Sequence, residues 1–276
     1  MSVGEDWPAL SMPVGVFDRL VVLDRVASTQ DVARSMIADG PGLAVVARRQ
    51  DAGRGRQGRR WLDDKGLSLT LSAIVAGTLP PAGLSLAAGL AVIDACRRLG
   101  VAGLGLKWPN DVVERCTPAS EGQRRPGADE GDIGGPVGRK VAGVLIEAVD
   151  GLAIVGIGLN VAQRDHDWPQ ELAGRAVSLA QLGAACDRPS ACRAVLEALS
   201  RWVSAPGEAV RARWSQAGTM RGRRCRVVVG DRRIEGVAVG LDERWRLVLD
   251  VGQGRRVGVE AAHAHVEEIA VTGGSH

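Results

Sequence analysis

The sequence predicts an α+β protein in two parts, strands and helices over residues 1–217 and short strands alone over residues 218–276. Three observations carry that expectation. Apolar, β-rich runs at 43–47, 67–75, 139–147 and 152–161 read as strands, the second alternating with small polar residues at period two. The Ala/Leu-rich stretch 85–99, ended by Gly100, reads as a helix. After Gly218, four or five short apolar runs are separated by turns at Gly230-Asp231, Asp242-Glu243 and Gly252-Gln253-Gly254, the pattern of a small barrel.

The elements follow in order. Residues 1–20 are irregular, with Pro8 and Pro13, and are expected to wrap the surface; 20–23 is a short strand. Ser28 or Thr29 is a natural N-cap for an amphipathic helix over 32–38 that ends at Gly40-Pro41. A helix start there is also a seat for an anion, because its first N–H groups are free. Residues 105–113 hold Lys107-Trp108-Pro109-Asn110-Asp111, which is ordinary turn chemistry or a turn that offers an amide and a carboxylate to a ligand or Mg²⁺. Residues 116–138, rich in Gly, Pro, Arg, Glu and Asp, read as a flexible insertion. The strands at 139–147 and 152–161 turn at Asp150-Gly151. Gly156 and Gly158 in the second would let a flat ligand approach the backbone, or mark a bulge. Helices are expected at 178–182, 190–202 and 207–214. His263 and His265, in the tail of the barrel and without ligand partners, read as structural.

Composition removes several classes. At 276 residues the chain can bury a sizeable core, and 45% apolar with 24% charged residues is ordinary for a soluble globular protein. Seven Trp, one Phe and no Tyr leave the core to Leu, Val, Ala and Ile and remove the phenol as acid, base or nucleophile. A formal charge of +3 is too small to imply nucleic acid. Five scattered cysteines with no Cys-x-x-Cys read as reduced thiols, and the start lacks a signal peptide, so a cytoplasmic location is expected. Residues 66–93 carry no charge, but Pro80-Pro81 and many Gly and Ser break them into strand, turn and helix, against a membrane span.

The most informative stretch is Gly53-Arg54-Gly55-Arg56-Gln57-Gly58-Arg59-Arg60-Trp61, between the strands at 43–47 and 67–75. Glycine lets the backbone come close to a ligand, and arginine offers a planar fork of donors to carboxylate and phosphate. The run lacks the Gly-Lys-Ser/Thr ending of a P-loop. By itself it fits an anion clamp, a solvated basic turn, or an RNA-touching segment. Lys140, just before a small-residue strand, is a second point charge for phosphate or carboxylate.

Taken together, Ser28-Thr29-Gln30, Gln50 leading into the glycine-arginine run, Lys107-Trp108-Pro109-Asn110-Asp111, the segment 140–147 and Gly156-Ile157-Gly158-Leu159-Asn160-Val161 resemble the biotin protein ligases in identity and order. The resemblance covers about residues 20–270. It implies a mixed sheet backed by helices, related to the class II aminoacyl-tRNA synthetases, in a catalytic domain 1–217, then an SH3-like barrel at 218–276. The implied reaction joins biotin to ATP as biotinyl-5′-AMP and passes the biotinyl group to a lysine of the biotin carboxyl carrier domain of acetyl-CoA or related carboxylases. Substrates and ions are biotin, ATP and Mg²⁺.

Residue by residue, the resemblance implies that Ser28, Thr29, Gln30 and Gln50 hold the biotin ureido ring. Arg54, Gly55 and Arg56 line biotin and adenylate. Gly53, Gly58, Arg59 and Trp61 belong to the ATP side, with Arg59 near the phosphates. Lys140 reaches the biotin carboxylate and α-phosphate. Asn110 and Asp111 face the nucleotide, Asp111 also the metal, and Asn160 the adenine. Lys140, Arg56, Arg59 and Asp111 form the implied catalytic set.

The chain departs from the family pattern in three places. Gln30 stands where the motif usually has Asn, Thr70 where some members carry Tyr, and the insertion is longer than the usual hairpin. A winged helix is not expected in the first twenty residues, so operator DNA is not an expected partner, nor is a membrane; the resemblance is compatible with a monomer or weak homodimer. The rivals are a lipoate or octanoyl ligase or transferase, and an RNA-binding module. The second would want clustered aromatics for stacking, which a chain with one Phe and no Tyr lacks.

Overall fold

The computed structural model describes Trp7 and residues 12–63, 65–115 and 138–268. Eight strands form one sheet: β1 (Arg19–Val26), β2 (Leu43–Arg54), β3 (Arg60–Asp63), β4 (Ser68–Ala76), β5 (Leu104–Lys107), β6 (Asp111–Glu114), β7 (Lys140–Val149) and β8 (Leu152–Asn160). Their order is β1-β2-β4-β8-β7-β6-β5, with β3 folded back onto β2. β1 and β2 run parallel and the other neighbours antiparallel, so the sheet is mixed, as expected.

Strand alternation sets the layers. On β2, Leu43 and Val45 face one side with Ile74 and Ile154, under Ala33 of α1 (Thr29–Ser35). Ala44 and Val46 face the other side, in the main core with Leu69, Leu71 and Val155. Three helices cover that side, α2 (Pro81–Arg98), α3 (Arg188–Val203) and α4 (Gly207–Ala217), with α2 packed on both the others. Their caps are local. Ser28 accepts from Gln30 N on α1, Asp187 accepts from Ser190 N on α3, and Pro81 opens α2, where a missing N–H costs nothing. The uncharged stretch 66–93 divides into β4 and α2, and no helix among the described residues is long and apolar enough to cross a membrane.

Three expectations change. The described residues of the irregular start do not only lie on the surface: Pro13 and Val16 are exposed, but Trp7, Val14 and Phe17 are buried in the main core, and Val16 N donates to Ser200 Oγ on α3 at 2.9 Å. Large apolar side chains gain more from burial than the prolines around them impose in irregularity. Residues 178–182 form a single turn, not a helix, in which Leu182 N bonds to both Ser178 O and Leu179 O and Gly183 ends it at φ +91°. The glycine-arginine run is not a simple connector: β2 extends through it to Arg54, and β3 makes a hairpin with Gly53 opposite Trp61. The insertion expected at 116–138 lies, apart from Gly138, outside the described residues.

The C-terminal part is an antiparallel sheet of β9 (Arg224–Val229), β10 (Arg232–Leu241), β11 (Leu247–Asp250), β12 (Arg256–Val259) and β13 (Ala264–Glu268). Its pairings run as a path β12-β11-β10-β9-β13, with no pairing recorded between the end strands among the described residues. Several contacts seat the sheet on the rest of the molecule, two of them on β5 and α2. Thr219 N donates to Leu106 O on β5 at 2.9 Å, and the Trp245 ring lies against Gly83 of α2, where a Cβ would come within 2.8 Å of it.

Trp214 is buried at the end of α4, and its carbonyl accepts from Gly218 N at 2.6 Å where the chain leaves for the second sheet. Replacing Trp214 with Ala is expected to cost about 3–5 kcal/mol. Urea unfolding followed by far-UV circular dichroism would check this; a loss under about 1 kcal/mol would contradict it.

Candidate functional site

A cleft of about 920 Å³ opens over the middle of the mixed sheet. Its floor is β4, β8 and β7, and its walls come from the N-terminus of α1, the β2–β3 hairpin, the turn 107–111, the segment 168–176 and the start of β13. Of the residues singled out from the sequence, Ser28, Thr29, Gln30, Gln50, Arg54, Gly55, Arg56, Arg59, Trp61, Asn110, Asp111, Lys140 and Asn160 all line it. Gly53 and Gly58 do not. Gly53 is buried where β2 crosses β3, with Trp61 O only 2.4 Å from where a Cβ would stand, and Gly58 serves the hairpin turn at φ +71°.

One end of the cleft is polar and neutral. Gln50 Oε1 accepts from Thr29 N at 2.7 Å and stands 3.1 Å from Thr29 Oγ1. Thr29 Oγ1 lies 2.9 Å from Ser72 Oγ, which donates to Gln30 Oε1 at 2.9 Å. Gln30 Nε2 reaches Ile154 O at 3.4 Å. All four side chains are buried, and mutual hydrogen bonding is what makes that tolerable. Gly156 gives Gln30 its space, since a Cβ there would stand 2.6 Å from Gln30 Oε1. Ser72 is a site residue that was not singled out from the sequence. Its signal was present: Ser68, Thr70 and Ser72 give a fully buried strand one polar face, which a strand packed on both sides does not need.

The other end is cationic. Arg54 pairs with Asp31 and, at 3.0 Å, with Glu147. Lys140 Nζ stands 2.7 Å from Asp111 Oδ1, although no hydrogen bond reaches that oxygen in line. Asn110 donates to Val144 O at 2.9 Å and accepts from Arg56 at 3.1 Å. Arg56 also spans the two sheets, donating to the carbonyls of Ala261, Ala262 and Ala264. Burial pulls its guanidinium below the ordinary arginine value, with Asp111 opposing and Arg59 reinforcing the shift. Asn160 holds the backbone at this end, donating to Lys140 O at 3.1 Å and Val177 O at 3.2 Å.

Between the two ends lies an aromatic surface. The Trp61 ring rests on Gly158, where a Cβ would come within 2.4 Å of it, and reaches Gly143 on the paired strand. Lys140 Nζ is 5.7 Å from the ring centroid, a cation–π distance. The glycine in β8 expected to admit a flat ligand therefore admits the chain's own indole, whose Nε1 is buried with no partner.

A neutral hydrogen-bonding pocket that runs into paired cations suits a molecule with an uncharged polar group at one end and an anion at the other. Comparison with known proteins agrees. A model described as the biotin/lipoate A/B protein ligase family matches residues 22–162. The chain is 35% identical over 258 residues to a biotin–[acetyl-CoA-carboxylase] ligase of Mycobacterium tuberculosis, covering 87% of this chain and 86% of that protein. It is 28% identical over 247 residues to the bifunctional ligase/repressor BirA of Escherichia coli, covering 84% of this chain and 69% of that one. A biotin protein ligase from Aquifex aeolicus, solved in complex with biotin and ATP, superposes with a TM-score of 0.75 at 27% identity, over 92% of this chain and all of the other. The chain belongs to the biotin/lipoate A/B protein ligase family.

Asp63, which ends β3 opposite Gln50, is a buried carboxyl raised from 3.8 to about 7 by burial, against hydrogen bonds from Ser68 and the charge of Arg188. The folded chain keeps this proton where the unfolded chain has lost it, so folding takes up a proton between about pH 4 and 7. The contribution is fully present below the unfolded value and is lost as pH rises through the folded one. Asp63→Asn keeps the acceptor for Ser68 N (2.9 Å) and removes the titration. Urea midpoints from pH 4.5 to 7.5 should fall less with rising pH in the variant than in the parent; parallel curves would refute the assignment.

Proposed function

We propose that this cleft activates the carboxylate of biotin with ATP and transfers the biotinyl group to a lysine of a biotin carboxyl carrier domain, that of acetyl-CoA carboxylase or a related carboxylase. The observation that carries the reading is the placement of the Gln50–Thr29–Ser72–Gln30 hydrogen-bond chain beside the Lys140–Asp111 and Arg56–Asn110 pairs in one cleft of a family member. The lipoate or octanoyl alternative is not favoured, because the named relatives and solved structures at this level of similarity are biotin ligases.

In the first half-reaction, a carboxylate oxygen of biotin bonds to the α-phosphorus of ATP as the bond to pyrophosphate breaks. Two anions must approach each other, so the chain's role is to neutralise and orient them. Ser28, Thr29, Gln30 and Gln50 hold the ureido ring. Lys140 stands between the carboxylate and the α-phosphate. Arg54, Gly55 and Arg56 line biotin and the adenylate, Arg59 and Trp61 serve the nucleotide, and Asn110 and Asn160 fix the walls against which the nucleotide rests. Gly53 and Gly58 act only by letting the hairpin form. Among the described residues no group of three His, Cys, Asp or Glu side chains could hold a metal alone. Mg²⁺ would come as a partner of the nucleotide, with the Asp111 carboxylate, here paired with Lys140, as a hard oxygen ligand and charge neutralisation on pyrophosphate as its contribution.

In the second half-reaction the neutral amine of the carrier lysine attacks the acyl carbon of the mixed anhydride and AMP leaves, with the amine proton passing to solvent. No protein nucleophile is needed. The domain division at 217/218 and closure of the C-terminal strands into an SH3-like barrel belong to the same reading, which the seating of that sheet on α2 and β5 supports.

The direct test is incubation with ATP, Mg²⁺, biotin and a carrier domain, read as a single biotinyl mass shift, with lipoate in parallel. Modification by lipoate and not biotin would overturn the proposal. Lys140→Ala should lower biotin-dependent ATP–pyrophosphate exchange by about a hundredfold or more while the thermal midpoint holds, since the side chain is more than a third exposed. Arg56→Gly should release the adenylate, lowering carrier modification and raising stray modification of a bystander protein's lysines; unchanged selectivity by mass spectrometry would refute the role of Arg56.

A further inference from the structure

Most cations around the cleft already have partners. Arg54 is held by Asp31 and Glu147, Arg56 by Asn110 and three carbonyls, Arg60 by Asp51 O, and Lys140 by Asp111. Two guanidinium groups that line the cleft have no hydrogen bond or ion pair among the described residues: Arg59 on the β2–β3 hairpin and Arg175 on the segment leading out of β8. Arg175 belongs to none of the motifs that identify the family in this chain.

Its backbone is fixed at the reacting end of the cleft. Lys140 N donates to Arg175 O at 2.8 Å, Val177 N donates to Lys140 O at 2.9 Å, and Ala176 forms a parallel bridge with Lys140. Arg175 N is tied back to Leu172 O at 2.9 Å. The residue is thus held one position from the partner of Lys140, on an ordered turn, with its side chain exposed at the cleft. Glu171, a carboxylate of the same turn that also lines the cleft, forms no ion pair with it.

We propose that Arg175 contacts the β- and γ-phosphates of the nucleotide and the pyrophosphate that leaves. Lys140, less exposed and bonded to Asp111, is placed for the α-phosphate, where one cation suffices. The remaining charge of a triphosphate falls further out, and the two unpartnered guanidinium groups are what the cleft offers to receive it. This inference rests on the ligase reading above and adds to it a phosphate-contacting residue from outside the glycine-arginine hairpin.

The test is steady-state ATP–pyrophosphate exchange with the full chain, comparing the parent, Arg175→Ala and Arg175→Lys. Arg175→Ala should raise KM for ATP and for pyrophosphate about tenfold, the scale of one charge-assisted hydrogen bond. Arg175→Lys should recover part of the loss. KM for biotin, and transfer to the carrier from preformed biotinyl-5′-AMP, which has neither outer phosphate, should stay as in the parent. An ATP KM within twofold of the parent in Arg175→Ala would overturn the assignment, as would an equal loss in transfer from the preformed adenylate. Absence of biotin-dependent exchange in the parent would instead overturn the ligase reading and this inference with it.

Discussion

Positive charge gathered in a cleft must be neutralised even when no ligand is there, and this requirement organises the site. An unpaired buried charge is expensive, so the less exposed cations are held by something they can later give up, while the exposed Arg59 and Arg175 go without a partner among the described residues. Lys140 rests on Asp111, Arg54 on Asp31 and Glu147, and Arg56 on neutral carbonyls. The partners differ in strength. A carboxylate competes hard with an incoming phosphate, whereas a peptide carbonyl is a weaker acceptor for guanidinium than an anion is. Of these three partnered cations Arg56 is therefore the most readily recruited, and it is carried on the glycine-rich hairpin.

The sheet makes this arrangement possible by putting small residues under the side chains that line the cleft. Gly143 and Gly158 face each other across β7 and β8, and the flat area they leave is covered by Trp61. Gly156 does the same for Gln30. Any side chain at Gly158 would drive the indole upward and carry the hairpin with it. The glycines of β8 thus act through the position of two other residues, which explains a strand made permissive at just the point where the core on its other face, with Val155, Ile157 and Leu159, is tightly packed.

Much of this was legible in the sequence because it is local. The caps at Ser28 and Asp187, the Asp150-Gly151 turn, the strand alternation that separates Leu43 and Val45 from Ala44 and Val46, and the glycine-arginine run all announce themselves within a few residues. What was hidden depends on partners distant in the chain. Phe17 and Trp7 read as surface because the α3 helix that covers them comes nearly two hundred residues later. Ser72 looked like a filler of the alternating pattern until Thr29 and Gln30 stood above it. A turn at 178–182 mimicked a helix because its Ser and Leu spacing is helical for one turn, and only Gly183 at a positive φ ends it.

The C-terminal sheet shows how a distant contact alters the meaning of a local motif. Arginines in a flexible loop would ordinarily be solvated, with little to hold them in any one place. Here Arg56 reaches the 261–264 turn, and β13 begins there with Ala264, His265 and Val266 on the cleft wall. The second sheet thereby fixes where the hairpin stands relative to Lys140 and Asp111, and it does so through main-chain oxygens, whose position depends on the fold of that sheet and not on the identity of its side chains. An arginine positioned in this way tolerates wide change in the sequence of 261–264, yet not a change in the path of the backbone. The two parts of the chain are coupled at one guanidinium group, and the geometry of the turn at 261–264 is as much a part of the site as the residues that face the ligand.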